Sequence, residues 1–151
     1  MRHWLMKSEP DEFSFAELAR KGTEPWTGVR NYQARNFLRA AEVGDLVLFY
    51  HSNCAAPGIV GVAKVTKAAF DDPTQFDPKS DYFDPKSTKD NPRWSCLEVS
   101  FHQTFRRLVS LPDLRACAAL KEMLILRPGN RLSVTPVTAA EFKAIATLGR
   151  G

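Results

Sequence analysis

At 151 residues, 44% of them hydrophobic and 25% charged, the chain has enough apolar material to bury a core without staples and too much to be a disordered tail. A net charge of +4 and a pI near 9.1 permit a polyanionic partner without demanding one. Cys54, Cys96 and Cys117 are odd in number and far apart, and His3, His51 and His102 stand at no zinc-site spacing, so neither a disulfide framework nor a metal or cofactor site is expected.

Residues 2–6 alternate weakly and read as a first strand. Trp4-Leu5-Met6 is too short for the apolar core of a secretory signal, and free thiols fit a cytoplasmic chain. Ser14-x-x-Glu17 is a capping box, stapled by Phe13 and Leu18, and the helix it opens stops near Gly22. Ala34, Phe37, Leu38 and Ala41 recur at helical spacing, with Asn31 at the N-cap and Gln33, Arg35, Asn36 and Arg39 on the opposite face. Residues 46–50 form a continuous apolar run, typical of a strand covered on both sides. Residues 46–63 hold no Asp, Glu, Lys or Arg, but His51-Ser52-Asn53 and Pro57-Gly58 interrupt them. That segment reads as two strands, the second over 59–65, and not as a membrane span.

Residues 70–92 carry six aspartates against three lysines, whereas 93–131 carry seven basic groups against three acidic ones, so the surface is polarised. Asp72-Pro73, Asp77-Pro78, Asp84-Pro85 and Asn91-Pro92 deny regular structure to most of the first stretch. Phe76, Tyr82 and Phe83 within it make either a lid over a pocket or anchors pinning a loop. Residues 95–101 alternate as a strand, 113–120 suit a short helix, and 132–135 follow the Pro128-Gly129-Asn130 turn as another strand. Thr138-x-x-Glu141, stapled by Val137 and Phe142, opens a last helix that ends near Gly149. The expectation is an α+β fold: one domain over residues 1–151, built on a curled sheet or small barrel of five to six strands with flanking helices.

Three constellations carry chemical meaning. Trp26-Thr27-Gly28-Val29-Arg30-Asn31 sets an indole and a glycine turn before a helix rich in Arg and Asn, groups that match base faces, base edges and phosphates. Arg30, Arg35 and Arg39 are candidate phosphate contacts, and Trp26 and Trp94 candidate stacking walls. Lys7-Ser8-Glu9 closes the first strand with a cation, a hydroxyl and a carboxylate, which could read a base edge or simply form a solvated turn. Tyr50-His51-Ser52-Asn53-Cys54 tempts a nucleophilic reading, but strand neighbours point to opposite faces, so His51 suits a pocket wall better. Phosphate-loop and dinucleotide motifs are missing, which favours a binder over an enzyme.

Together these segments resemble the EVE domain of the PUA-like group. The matching pieces are His3-Trp4-Leu5-Met6-Lys7-Ser8-Glu9-Pro10, the run from Trp26 to Asn36, Phe49-Tyr50-His51-Ser52-Asn53, Pro57-Gly58-Ile59-Val60-Gly61, Asn91-Pro92-Arg93-Trp94-Ser95 and the stretch from Arg127 to Val134. A weaker likeness reaches the YTH readers of methylated adenine and departs at Glu9-Pro10. The resemblance implies a PUA-like curled β-barrel with helices and a pocket for a base flipped from a strand. It further implies a non-catalytic reader of a modified base, notably modified cytosine in DNA. Lys7, Ser8 and Glu9 would edge the pocket, Trp26 and Trp94 wall it, and Arg30, Asn31, Tyr50, His51 and Ser52 complete the polar rim. Arg35 and Arg39 would hold phosphates. The implied partner is DNA or RNA carrying a modified base, bound by a monomer without a membrane. Two other readings stay open: an enzyme on modified nucleosides or RNA using Lys7, Glu9 and His51, and a protein scaffold whose acidic loop is the contact surface.

Overall fold

In the computed structural model, which describes residues 1–150, strand β1 (His3–Ser8) runs parallel to β3 (Leu46–His51) and antiparallel to β6 (Val134–Val137). Strand β3 pairs antiparallel with β4 (Gly58–Asp71), β4 with β5 (Ser95–Ser110), and β5 with the short β2 (Thr23–Pro25). The result is one six-stranded mixed sheet in the order β2-β5-β4-β3-β1-β6. The α+β class holds, but β2 and β6 are edges that do not pair with each other, so the expected barrel is open.

Both faces of the sheet are covered, and the side-chain alternation of each strand sorts residues between two cores. Trp4, Met6, Val47 and Phe49 point to one face, where helices α1 (Phe15–Lys21) and α2 (Tyr32–Ala40) bring Phe15, Leu18, Ala34 and Leu38. Leu5, Leu48 and Tyr50 point to the other, beneath α3 (Leu111–Ala116) and α4 (Ala139–Gly149), which supply Leu114 and Ile145. This two-sided burial accounts for the unbroken apolar run at the centre of β3.

Strands β4 and β5 run well past the expected 65 and 101 because register shifts break their periodicity. In β5, Leu97 and Val99 belong to the first core, yet Phe105 and Val109, of the same parity, belong to the second. The shift opposite Val62 and Ala63 adds one residue to β5 and turns its later side chains to the other face. Strand β2 is a three-residue edge ending in Pro25, too brief for a pattern to register.

The helix caps expected from the sequence form, although at Ser14–Glu17 only the Ser14 half of the capping box is made. The Ser14 hydroxyl accepts from the Glu17 N–H, Asn31 Oδ1 from the Ala34 N–H, and Thr138 and Glu141 form the full reciprocal box. Helix α3 begins earlier than expected, on a Ser110–Asp113 box that sits at the very end of β5. Residues 72–92 form a strap with a single 3-10 turn, Pro73–Phe76. Its three Asp-Pro pairs repeat one device: Asp72, Asp77 and Asp84 each accept, through Oδ1, the N–H two residues on.

Candidate functional site

Strands β1 and β3 end side by side, with Lys7 opposite Tyr50 and Ser8 opposite His51. Beyond them the chain turns sharply, and the Glu9 carbonyl accepts the N–H groups of Glu12 and Phe13 at 2.9 Å each. The Ser8 hydroxyl donates to the Phe13 carbonyl at 2.6 Å, and the Ser52 N–H to the Ser8 carbonyl at 3.0 Å. The Glu9 carboxylate accepts from the side-chain amide of Asn53, whose φ of 52° is a left-handed conformation that asparagine tolerates. These bonds hold the Lys-Ser-Glu turn at the edge of an open cavity of about 490 Å³.

Lys7, Ser8, Glu9, Trp26, Arg30 and Ser52 all line this cavity. Lys7 enters none of the ion pairs among the described residues, and burial lowers its pKa from the usual lysine range. Its ammonium lies 5.8 Å from the centre of the Tyr50 ring. Trp26 is 8% exposed, held by its N–H to the Leu97 carbonyl at 2.7 Å and set edge-on to Phe49 at 5.4 Å. Most of the indole is therefore core, and the remainder is cavity wall. Glu12 and Glu24 join Glu9 on the lining, whereas Arg131 adds an exposed cation.

Arg30 does not fill the role expected of it. Arginine has five N–H donors, and all five are consumed inside the protein. Nε and Nη2 donate to the Tyr82 carbonyl at 3.0 and 2.8 Å, Nη2 also to Thr74 Oγ1 at 3.0 Å, and Nη1 to the Val29 carbonyl at 2.9 Å and Asp72 Oδ2 at 3.1 Å. Asp72 is completely buried, and its carboxylate also accepts the Gly28 N–H at 2.8 Å, the Thr74 N–H at 2.8 Å and the Thr74 hydroxyl at 2.6 Å. Arg30 and Asp72 thus bolt the Trp26–Gly28 segment to the strap, and no guanidinium N–H is left for a ligand.

Four other predicted site residues do not line the cavity. Asn31 is the exposed cap of α2. Tyr50 is buried in the second core, where desolvation raises its pKa, Cys54 adds to the shift and Arg115 opposes it. His51 Nε2 accepts the Phe15 N–H at the start of α1 at 3.1 Å, and burial lowers its pKa, so the ring is neutral with its lone pair engaged. Lys7, Glu9 and His51 are therefore not assembled around one space. Trp94 is buried, donates from Nε1 to Asp84 at 2.7 Å and stacks on Tyr32 at 4.7 Å with 22° between the rings. The expected pair of indoles facing across a slot is not formed.

Arg35 and Arg39 also lie away from the cavity, on the face of α2 that meets the start of β5. Arg35 donates to the Arg93 carbonyl and to Asn36 and covers the Tyr32 ring at 4.7 Å, while Arg39 Nε donates to Ser95 Oγ at 2.9 Å. Each keeps further guanidinium N–H groups for solvent or a ligand. A continuous stack of cations and rings runs from this face to the strap: Arg35, Tyr32, Trp94, Arg30 at 5.4 Å from the Trp94 ring, and Tyr82 at 5.6 Å from Arg30. Tyr82, Phe13, Thr27, Arg131 and Ser133 line the cavity without having been marked as site residues. Ser133 is placed by a bond that sequence cannot show, its carbonyl accepting the Lys7 N–H at 2.8 Å.

The chain is thus an open mixed sheet covered by helices on both faces, with a mouth cavity edged by a Lys-Ser-Glu turn and walled in part by an indole. The EVE family model matches residues 2–148, and the chain belongs to that family. Among its relatives is human thymocyte nuclear protein 1, 42% identical over 97% of this chain and 73% of its own length. A crystal structure of a Pseudomonas putida protein superposes with a TM-score of 0.95 at 52% identity, covering 97% of this chain and 99% of that one. The human THYN1 protein in complex with 5-methylcytosine-containing DNA also superposes at 0.95, with 40% identity over 100% of this chain and 99% of that one.

Proposed function

We propose that this chain is a non-catalytic DNA-binding module that recognises modified cytosine, taking the base out of the helix into the Trp26 cavity. What carries this reading is the match of the entire chain, at a TM-score of 0.95, to a protein described in complex with 5-methylcytosine-containing DNA. The cavity's chemistry supports it. The exposed part of the Trp26 indole offers a surface for stacking, Glu9 an acceptor for the exocyclic amino group of cytosine, and Lys7 a cation in no ion pair among the described residues. Arg35 and Arg39, outside the cavity, steady the phosphates of the flanking strand. The chain acts as a cytoplasmic monomer, consistent with its free thiols at Cys54, Cys96 and Cys117.

Matched oligonucleotides differing only in one 5-methyl group, titrated at two salt concentrations, test the proposal. The chain prefers the methylated strand at both, and Trp26→Ala loses the preference while keeping a salt-sensitive background. Equal binding of both strands by the unaltered protein refutes the reading. Mass spectrometry of the recovered oligonucleotide finds its bases unchanged; conversion of the base, abolished in Glu9→Gln, would make the protein an enzyme instead.

A further inference from the structure

Tyr82 lies on a strap dominated by charge and proline, 52 residues from the arginine that grips its carbonyl, yet it lines the same cavity as Trp26. Its ring rests on the backbone of Gly28 so closely that a β-carbon there would meet Cε2 and Cζ at 2.8 Å. Gly28 also adopts a φ of 86°, so this position favours glycine on both counts. The residue is 37% exposed, although its side chain is large and mostly apolar. Two bonds from Arg30 fix its carbonyl, the Arg30 guanidinium stands 5.6 Å from its ring, and Ser80 Oγ accepts its N–H at 3.1 Å. The hydroxyl is only loosely held, 3.5 Å from Glu12 Oε2, and Glu12 lines the cavity as well.

An aromatic ring locked at its backbone, seated on a glycine and left partly bare toward a cavity has the properties of a stacking wall. We infer that Tyr82 is the second aromatic wall of the base cavity and that Arg30 is its positioning residue, setting the wall from behind without touching nucleic acid. This rests on the base-binding reading above and extends it. The second wall comes from the strap, not from Trp94. The acidic strap is thereby part of the recognition site, and its Asp-Pro turns serve to present one ring. Asp72 completes the device, because the same carboxylate that accepts from Arg30 also holds the Gly28 N–H on which the ring sits.

The test compares Tyr82→Ala, Tyr82→Phe and Arg30→Lys with the unaltered chain, on cytosine and 5-methylcytosine oligonucleotides at several salt concentrations. Tyr82→Ala weakens binding of the methylated strand about tenfold, the size of one lost base–aromatic stack, and leaves the salt slope unchanged. Tyr82→Phe retains both affinity and preference. Arg30→Lys keeps the charge, and with it the salt slope, but loses the fork that grips the Tyr82 carbonyl, and so lowers the preference for the methylated strand. Thermal unfolding confirms that the Tyr82 variants fold, and Tyr82→Leu, which fills the space without a π face, binds like Tyr82→Ala. A Tyr82→Ala protein that discriminates as well as the unaltered chain overturns the assignment, as does an Arg30→Lys protein whose preference for the methylated strand is undiminished. If the unaltered chain itself fails to discriminate, the base-binding reading falls first, and the wall falls with it.

Discussion

Replacing Asp72 with asparagine isolates the bond network that joins the two halves of the site. Asparagine has the same size but converts one acceptor oxygen into an NH2 donor. Oδ2 of Asp72 accepts from the Gly28 N–H and Arg30, and Oδ1 accepts from the N–H and hydroxyl of Thr74. Whichever way the amide is turned, one donor pair faces another donor in a site with no exposure at the carboxylate. Breaking a buried charge pair typically costs about 3–5 kcal/mol. The Arg30 side chain is 21% exposed, and water offsets part of that loss, which places Asp72→Asn at roughly 3 kcal/mol. For a chain of this size the unfolding midpoint falls by about 6–12 °C. Thermal and urea unfolding give the magnitude, and hydrogen exchange at the Gly28 and Thr74 amides gives the location. A loss below about 1 kcal/mol with both amides still protected would show that Asp72 does not hold the strap.

Other consequences concern pH and salt. Burial alone would raise the Asp45 pKa, but hydrogen bonds from Trp4 Nε1, the Arg2 N–H and the Glu42 N–H, with the nearby N-terminal ammonium, bring it below the usual carboxylate value. Its stabilisation is therefore present above the unfolded value near 4 and is lost as pH falls through the lower folded value, so Asp45→Asn flattens the acid limb of a stability–pH curve. A curve unchanged by that substitution would contradict the assignment. His51, with its pKa lowered by burial, stabilises the fold above its ordinary value near 6.5 and loses that contribution at lower pH. An NMR titration midpoint at or above 6.5 would refute the engaged lone pair, and His51→Phe should leave base discrimination intact. Arg35→Gln with Arg39→Gln reduces the salt slope of DNA binding by about two and weakens both oligonucleotides equally; an unchanged slope removes α2 from the phosphate path.

Features that depend on near neighbours were legible in the sequence. Ser14, Asn31 and Thr138 announce their helices because a cap bonds only three residues ahead, and all three bonds are present. The Lys7-Ser8-Glu9 turn and Trp26 were legible as cavity residues because their chemistry is unusual for the ends of a strand. What failed depends on partners far along the chain. Arg30 looked like a ligand group because Asp72, 42 residues away, is invisible as its partner until the chain folds. Trp94 looked like a wall because a tryptophan advertises stacking without saying whether its face is spent, and here Tyr32 occupies it. His51 looked like a rim group, yet its acceptor is consumed by a helix amide 36 positions earlier. Tyr82 was open to either reading of its loop, and only its seat on Gly28 decides between them.

The most direct test of the cavity is an amide and indole chemical-shift map, recorded as a 5-methylcytosine oligonucleotide is added to the labelled chain. The account predicts that the largest shifts fall on Ser8, Thr27, Gly28, Ser133 and the Trp26 indole, and that they shrink when cytosine replaces its methylated form. Shifts confined to Arg35, Arg39 and their neighbours on α2, with the cavity silent, would contradict it.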